Sequence, residues 1–196
     1  WYGGYLTAIG RYRDGIEELK RAVALDPLSL IINADLAAEG YYVAREYEQA
    51  LTQLRKVIEL DPHFPYARLH LCRTYVALGQ YPAAIRECEE GAELSDRTSE
   101  SLGSLGYAYA VMGRRQAAQA VVHELEARAQ DAYVPAYDVA IVYTGLGLRD
   151  QAFAWLDKAF AERSISMDWI KTDPRLVSLR SDSRLQDLIR RMHFPN

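Results

Sequence analysis

The chain has 196 residues, 49% hydrophobic and 26% charged, the composition of a folded protein with enough apolar side chains for a sizeable core. Its formal net charge of −4 argues against nucleic acid and anionic membrane as partners, because both select clustered Lys and Arg. No apolar run approaches the roughly 18 to 20 residues that span a bilayer, and no secretory signal pattern is present. No membrane contact is therefore expected, and a cytoplasmic location is favoured with the compartment itself left open.

The chain reads as short amphipathic helices in pairs. Trp1, Tyr2 and Gly3 belong to the remainder of a first helix, Gly10 and Tyr12 to a turn, and Gly15, Leu19 and Ala22 to the inner face of the second, which closes at Leu25-Asp26-Pro27. Residues 31–64 repeat this plan and close at Leu60-Asp61-Pro62. In residues 65–98, Pro65 suits the first turn of a helix, where its missing N–H costs nothing. Leu71, Cys72, Tyr75 and Leu78 then follow at helical spacing, and Gly79 supplies the left-handed residue that ends the helix. Ala84, Ile85, Cys88 and Gly91 mark the inner face of its partner. Residues 99–132 keep Leu105, Gly106, Tyr109, Gly113 and Ala118, and residues 133–166 keep Ala140, Tyr143, Gly147, Ala152 and Ala159.

Tyr41, Tyr75, Tyr109 and Tyr143 recur every 34 residues, as do Ala50, Ala84, Ala118 and Ala152, and the small residues Ala38, Cys72, Gly106 and Ala140. A fixed period of this length marks a repeat array. The closing Leu60-Asp61-Pro62 comes one residue later than that period allows, a slip assigned to the connecting loop, where insertions cost little. Beyond residue 166, Asp173-Pro174 and Asp182-Ser183 each place an N-cap before a helix start. Leu185, Leu188, Ile189 and Met192 form one apolar face there, and Arg190 and Arg191 complement the helix dipole. Residues 167–196 are expected to cap the inner face that a terminal repeat leaves open. Their charges, Lys171, Arg175, Arg180, Arg184, Arg190 and Arg191 against Asp168, Asp173, Asp182 and Asp187, leave a small basic excess that is expected on a solvated helical surface.

The 34-residue unit, with its small residues at two helix crossings and Pro near its end, resembles the tetratricopeptide repeat. The resemblance implies an all-α fold, a right-handed superhelical solenoid of helix-turn-helix repeats with a C-terminal capping helix. The array covers 1–166, divided into a truncated first repeat 1–30 and full repeats 31–64, 65–98, 99–132 and 133–166. The truncated opening, together with Trp1 in place of a Met, reads as a piece of a longer protein. Asp173-Pro174-Arg175-Leu176, the stretch from Leu179 to Leu185, and Arg190-Arg191-Met192 also resemble the end of tetratricopeptide regions in large bacterial regulatory proteins, where an array follows an effector domain. Ser183 and Leu185 stand where that tail more often has Pro and Phe.

The same resemblance implies a concave groove lined by Glu39, Tyr42, Tyr66, Leu69, Arg73, Gly103, Tyr107, Tyr137 and Ile141 among others, mostly aliphatic or aromatic. An apolar strip of that kind marks an interaction site. The expected function is a non-catalytic protein-interaction or regulatory module that holds a peptide or helix in the groove. Tyr42, Tyr66, Tyr107 and Tyr137 would be its anchors, and Gly103 would admit a ligand backbone. Two other arrangements compete with that expectation: tight superhelical packing buries the strip, or the chain's own terminus fills it. Self-association is the second functional expectation, with a homodimer formed through the first unit. The Lys and Asn set with which tetratricopeptide domains clamp a C-terminal carboxylate is missing, since Arg73 is the only basic groove residue.

Catalytic chemistry lacks converging groups. His63, His70, His123 and His193 fall in different units or at loop and surface positions, without metal-ligand spacing. Cys72 and Cys88 have no zinc or redox spacing and read as two buried thiols, with a disulfide between them as the alternative. Gly145-Leu146-Gly147 lacks the preceding strand and third glycine of a phosphate loop. Glu39, Arg73 and Tyr107 would face an open groove that solvates charge and gives little preorganisation. No catalytic residue, metal site or cofactor is expected.

Overall fold

Each Tyr-bearing unit folds as two helices joined by a tight turn, in a computed structural model that describes residues 1–195. Helix α1 (Tyr2–Ala8) packs on α2 (Tyr12–Leu25), and α3 (Leu30–Asp35) with its continuation packs on α4 (Tyr47–Leu60). Then α5 (Pro65–Ala77) packs on α6 (Tyr81–Leu94), α7 (Ser99–Val111) on α8 (Arg115–Asp131), and α9 (Ala136–Gly145) on α10 (Arg149–Ala161). The first helices of successive pairs also touch one another, α3 on α5, α5 on α7 and α7 on α9, so that they line one inner side.

The turns show why the period is so regular. Gly10, Gly79, Gly113 and Gly147 take φ of 95°, 71°, 83° and 72°, the left-handed conformation that reverses the chain between paired helices. The second unit has Arg45 at that place with φ of 66°, a conformation that costs a residue with a Cβ about 1–2 kcal/mol.

The one-residue slip in the second unit lies in a helix, not in the loop expected from the sequence. The loops ahead of α3 and α5, residues 26–29 and 61–64, have the same length. One residue more separates the start of α3 from Tyr41 than separates the start of α5 from Tyr75. The helix absorbs it by continuing past Asp35 as a π-helical turn, Leu36–Tyr42. Such a turn widens the ring of each hydrogen bond by one residue and re-aims the side chains on it.

The small repeated residues sit where the paired helices cross. Ala50, Ala84, Ala118 and Ala152 are all fully buried at 0% exposure. Ala118→Leu is expected to cost about 1–3 kcal/mol by overpacking, while the adjacent exposed Gln119→Leu stays within about 0.5 kcal/mol. Urea denaturation of the two variants checks this, and equal effects would contradict the register. Cys72 on α5 and Cys88 on α6 are joined as a disulfide with Cα atoms 5.0 Å apart, in place of the two separate thiols read from the sequence.

After α10 the chain forms two short 3-10 turns, Ile165–Trp169 and Pro174–Leu179, and then α11 (Ser183–Arg191). Asp173 and Asp182 act as caps, accepting from the backbone N–H of Arg175 and Arg184. Helix α11 packs on α10 through buried Leu185 and Leu188, and Arg184 and Arg191 lie 4.0 and 4.1 Å over the rings of Phe153 and Phe160.

Residues 165–180 cover the last repeat and also reach across the groove. Their apolar side chains lack helical spacing, and the segment turns back into the inner side of the array. Met167, Ile170, Leu176 and Leu179 are there at most 1% exposed, in one core with Tyr137, Ile141 and Leu156. Among the described residues no helix is long and apolar enough to cross a membrane, and no cluster of His, Cys, Asp or Glu has the geometry to hold a metal.

Candidate binding cavity in the groove

The segment that enters the groove is tied to both ends of the array. Trp169 packs against the cluster of Tyr42, Val43 and Ala50, and Lys171 Nζ donates to the carbonyl of Ile9 just past α1, at 2.8 Å. On the other side, the Tyr137 hydroxyl donates to Asp173 Oδ2 at 2.9 Å. Arg175 donates from Nε to both Asp173 oxygens at 3.1 Å and from Nη2 to Oδ2 at 2.7 Å. Asp173 is 3% exposed, so this pair is buried, contrary to the solvated surface expected for these charges. Burial works to raise the Asp173 pKa, and the Arg175 guanidinium with its hydrogen bonds outweighs it, holding the carboxylate below its ordinary range. The burial of the Tyr137 ring, and then the same carboxylate, push its hydroxyl well above the usual phenol range.

Between this segment and the inner helices lies a cavity of about 260 Å³. The π-helical turn supplies Glu39 and Tyr42, α5 supplies Tyr66, His70 and Arg73, α7 supplies Glu100, and α9 supplies Tyr137 and Asp138. The C-terminal segment closes it with Trp169, Asp173 and Arg175. Arg73 donates to Glu100 Oε1 at 2.8 Å and to Ser104 Oγ at 2.9 Å; burial works to raise the Glu100 pKa, and its pairing with Arg73 outweighs that and keeps it low. Two other carboxyls have no such partner. Burial first, and the nearby Asp35 carboxylate second, push Glu39 up to about 7. Burial and Glu100 likewise push Asp138 up to about 7. His70 meets Tyr66 edge-on at 4.4 Å; burial and then Arg73 and Arg175 lower its pKa well below the usual value, so the ring is neutral. Its buried Nδ1 has no hydrogen-bond partner.

Residues 41–100 match the family model described as tetratricopeptide repeat. A thermophilic tetratricopeptide protein of Thermus thermophilus superimposes over 96% of this chain and 95% of its own, with a TM-score of 0.67 and 22% identity. The chain has the tetratricopeptide fold. Its tetratricopeptide fold is shared with YrrB, described as having an unusual peptide-binding site, at a TM-score of 0.51 and 16% identity over 89% of this chain and 90% of that one. A tetratricopeptide protein from Parabacteroides merdae matches at a TM-score of 0.51 and 14% identity over 96% of this chain and 78% of that one. No curated protein matches the chain in sequence.

The tetratricopeptide groove brings five of the residues read from the sequence to the cavity: Glu39, Tyr42, Tyr66, Arg73 and Tyr137. Tyr107 lines a second recess with Tyr42 and Arg73, on the far side of Pro174 and Arg175. Leu69 lies in an outer recess beside Thr98. Gly103 and Ile141 are not brought to it. A Cβ on Gly103 would lie 3.0 Å from the Asp138 carbonyl oxygen, so its lack of a side chain lets α7 and α9 approach. Ile141 is 0% exposed beneath the C-terminal segment. Arg73 pairs with Glu100 of the next unit and not with Glu39.

Sequence reasoning missed His70, Asp138, Trp169, Asp173 and Arg175. His70, one of four histidines expected in different units or at loop and surface positions, is 6% exposed on inner helix α5. The available signal for the C-terminal residues was the run of Ile165, Met167, Trp169 and Ile170, too apolar for a solvated connector.

Proposed function

We propose that this tetratricopeptide domain is a non-catalytic protein-interaction module that takes a short peptide segment at the central cavity. The observation that carries the reading is the cavity itself: the chain's own C-terminal segment covers much of the apolar groove yet leaves this space, walled by Tyr42, Tyr66 and Trp169, unfilled. Tyr66 is half-buried at its edge, as an anchor residue needs to be. Both arginines are already bound by carboxylates and His70 has no hydrogen-bonded nucleophile, which supports binding over catalysis.

Selection of a displayed library of short peptides on the folded domain tests the proposal. Enriched peptides are expected to lose about tenfold or more in affinity on Tyr66→Ser with the helical content unchanged. No enrichment, or equal affinity for the variant, would contradict it. Self-association is the second reading, favoured by Tyr2 and Tyr5 of α1, 60% and 49% exposed with rings stacked at 6.3 Å. Sedimentation equilibrium decides it, a monomer at every concentration counting against a dimer.

A further inference from the structure

We propose that the cavity holds a cationic group, an alkylammonium or guanidinium such as a lysine or arginine side chain carries, between the carboxyls of Glu39 and Asp138 and the aromatic walls. The inference rests on the reading of this cavity as the binding site and names the chemistry it recognises.

The charges on the lining decide the sign of the ligand. Four acidic residues line the cavity, Glu39, Glu100, Asp138 and Asp173, against two arginines, Arg73 and Arg175, and the Glu39 carboxyl lies at the edge against Gly4 of α1. Both guanidiniums are committed, Arg73 to Glu100 and Arg175 to Asp173. Glu39 and Asp138 are left over, and no hydrogen bond to either carboxyl acts on its titration. Asp138 is only 5% exposed, and buried polar groups in folded proteins nearly always have a partner. An anion would meet excess negative charge with no free guanidinium, an apolar ligand would leave both carboxyls without a partner, and a neutral donor would leave their charge uncompensated.

Two further features fit a cation. Electron-rich ring faces attract ammonium and guanidinium groups, and Tyr42, Tyr66 and Trp169 supply such walls. The neutral His70, 6% exposed, lines the cavity without adding a positive charge that would repel a cation. The volume is below the roughly 300–1,000 Å³ of pockets for drug-sized ligands, and suits one side chain.

Holding these carboxyls here works against folding. A carboxyl whose pKa is raised in the folded state contributes most stability below its unfolded pKa, about 4, and loses it as pH climbs towards 7. Glu39 titrates facing Asp35, and Asp138 facing Glu100, Arg175, Arg73 and Glu162. Groups kept at a cost to stability are characteristic of functional sites. A bound cation favours the ionised carboxyls, so its affinity rises with pH through 7 and levels off above.

The test is calorimetric titration of the whole chain with acetyl-Ala-Lys-Ala-amide, its norleucine counterpart, and cadaverine. The lysine peptide is expected to bind at least tenfold tighter than the norleucine peptide, and about tenfold tighter at pH 8 than at pH 6 for each carboxyl that ionises on binding. Glu39→Gln combined with Asp138→Asn is expected to abolish that preference while the melting temperature at pH 8 stays level or rises. Cadaverine binding without peptide binding supports the cation site, assigns it to free amines and overturns the peptide reading. Equal binding of the lysine and norleucine peptides overturns the cation inference and leaves the peptide reading standing. Binding of neither the lysine peptide nor cadaverine overturns the inference, and so does a double variant that melts lower at pH 8.

Discussion

Asp173→Ala is expected to lower the unfolding free energy by about 3–5 kcal/mol, the range for removing one member of a buried ion pair. The loss arises because Arg175 would stay buried with no counter-charge, and the Tyr137 hydroxyl would lose its acceptor. Removing both charges in Asp173→Ala, Arg175→Leu is expected to cost less than Asp173→Ala alone, since no buried charge is then left unpaired. Urea denaturation of the three proteins measures this. A double variant as unstable as the sum of its parts would contradict a direct pair. The pH dependence has a definite sign. The folded pKa of Asp173 lies below its ordinary 3.8, so the stabilisation is complete above that pH and disappears as pH falls below it.

Ile170→Ala is expected to cost about 2–5 kcal/mol, the range for emptying a fully buried aliphatic site. Ile170 is 0% exposed and shares its core with Tyr137, Ile141 and Leu156, all from the last repeat. Val177 lies in the same segment but is 52% exposed, and Val177→Ala is expected to stay within about 0.5 kcal/mol. The contrast matters because a loosely attached tail would give small effects at both positions. A large effect at Ile170 alone means that residues 165–180 are part of the fold and form one wall of the cavity.

The helical repeat was legible because it rests on local rules. A left-handed turn residue, small side chains at helix crossings and Tyr at a fixed place each leave a mark at regular spacing, and α5 to α10 follow them. The π-helical turn was visible only as a one-residue slip, which a loop and a helix absorb equally well on paper. Equal loops in the structure settle the choice, and the consequence reaches function, since Glu39 and Tyr42 both lie on that turn.

The candidate site was half legible. Positions on the inner helices follow from the period, so Tyr66 and Arg73 could be read as groove residues. What covers them could not, because the segment from Ile165 to Arg180 has no periodicity and carries charges that normally stay in water. Asp173 and Arg175 satisfy each other locally, two residues apart, but their burial against the inner helices is a long-range outcome with no local signature. The same holds for Cys72 and Cys88, whose pairing depends on how α5 faces α6.

The most direct measurement is the set of nuclear Overhauser contacts from the Trp169 indole protons in the full chain. Contacts to the side chains of Tyr42 and Val43 are expected, joining the C-terminal segment to the second repeat across the groove. An indole whose contacts end within its own segment and the last repeat would contradict the closed groove and, with it, the walled cavity.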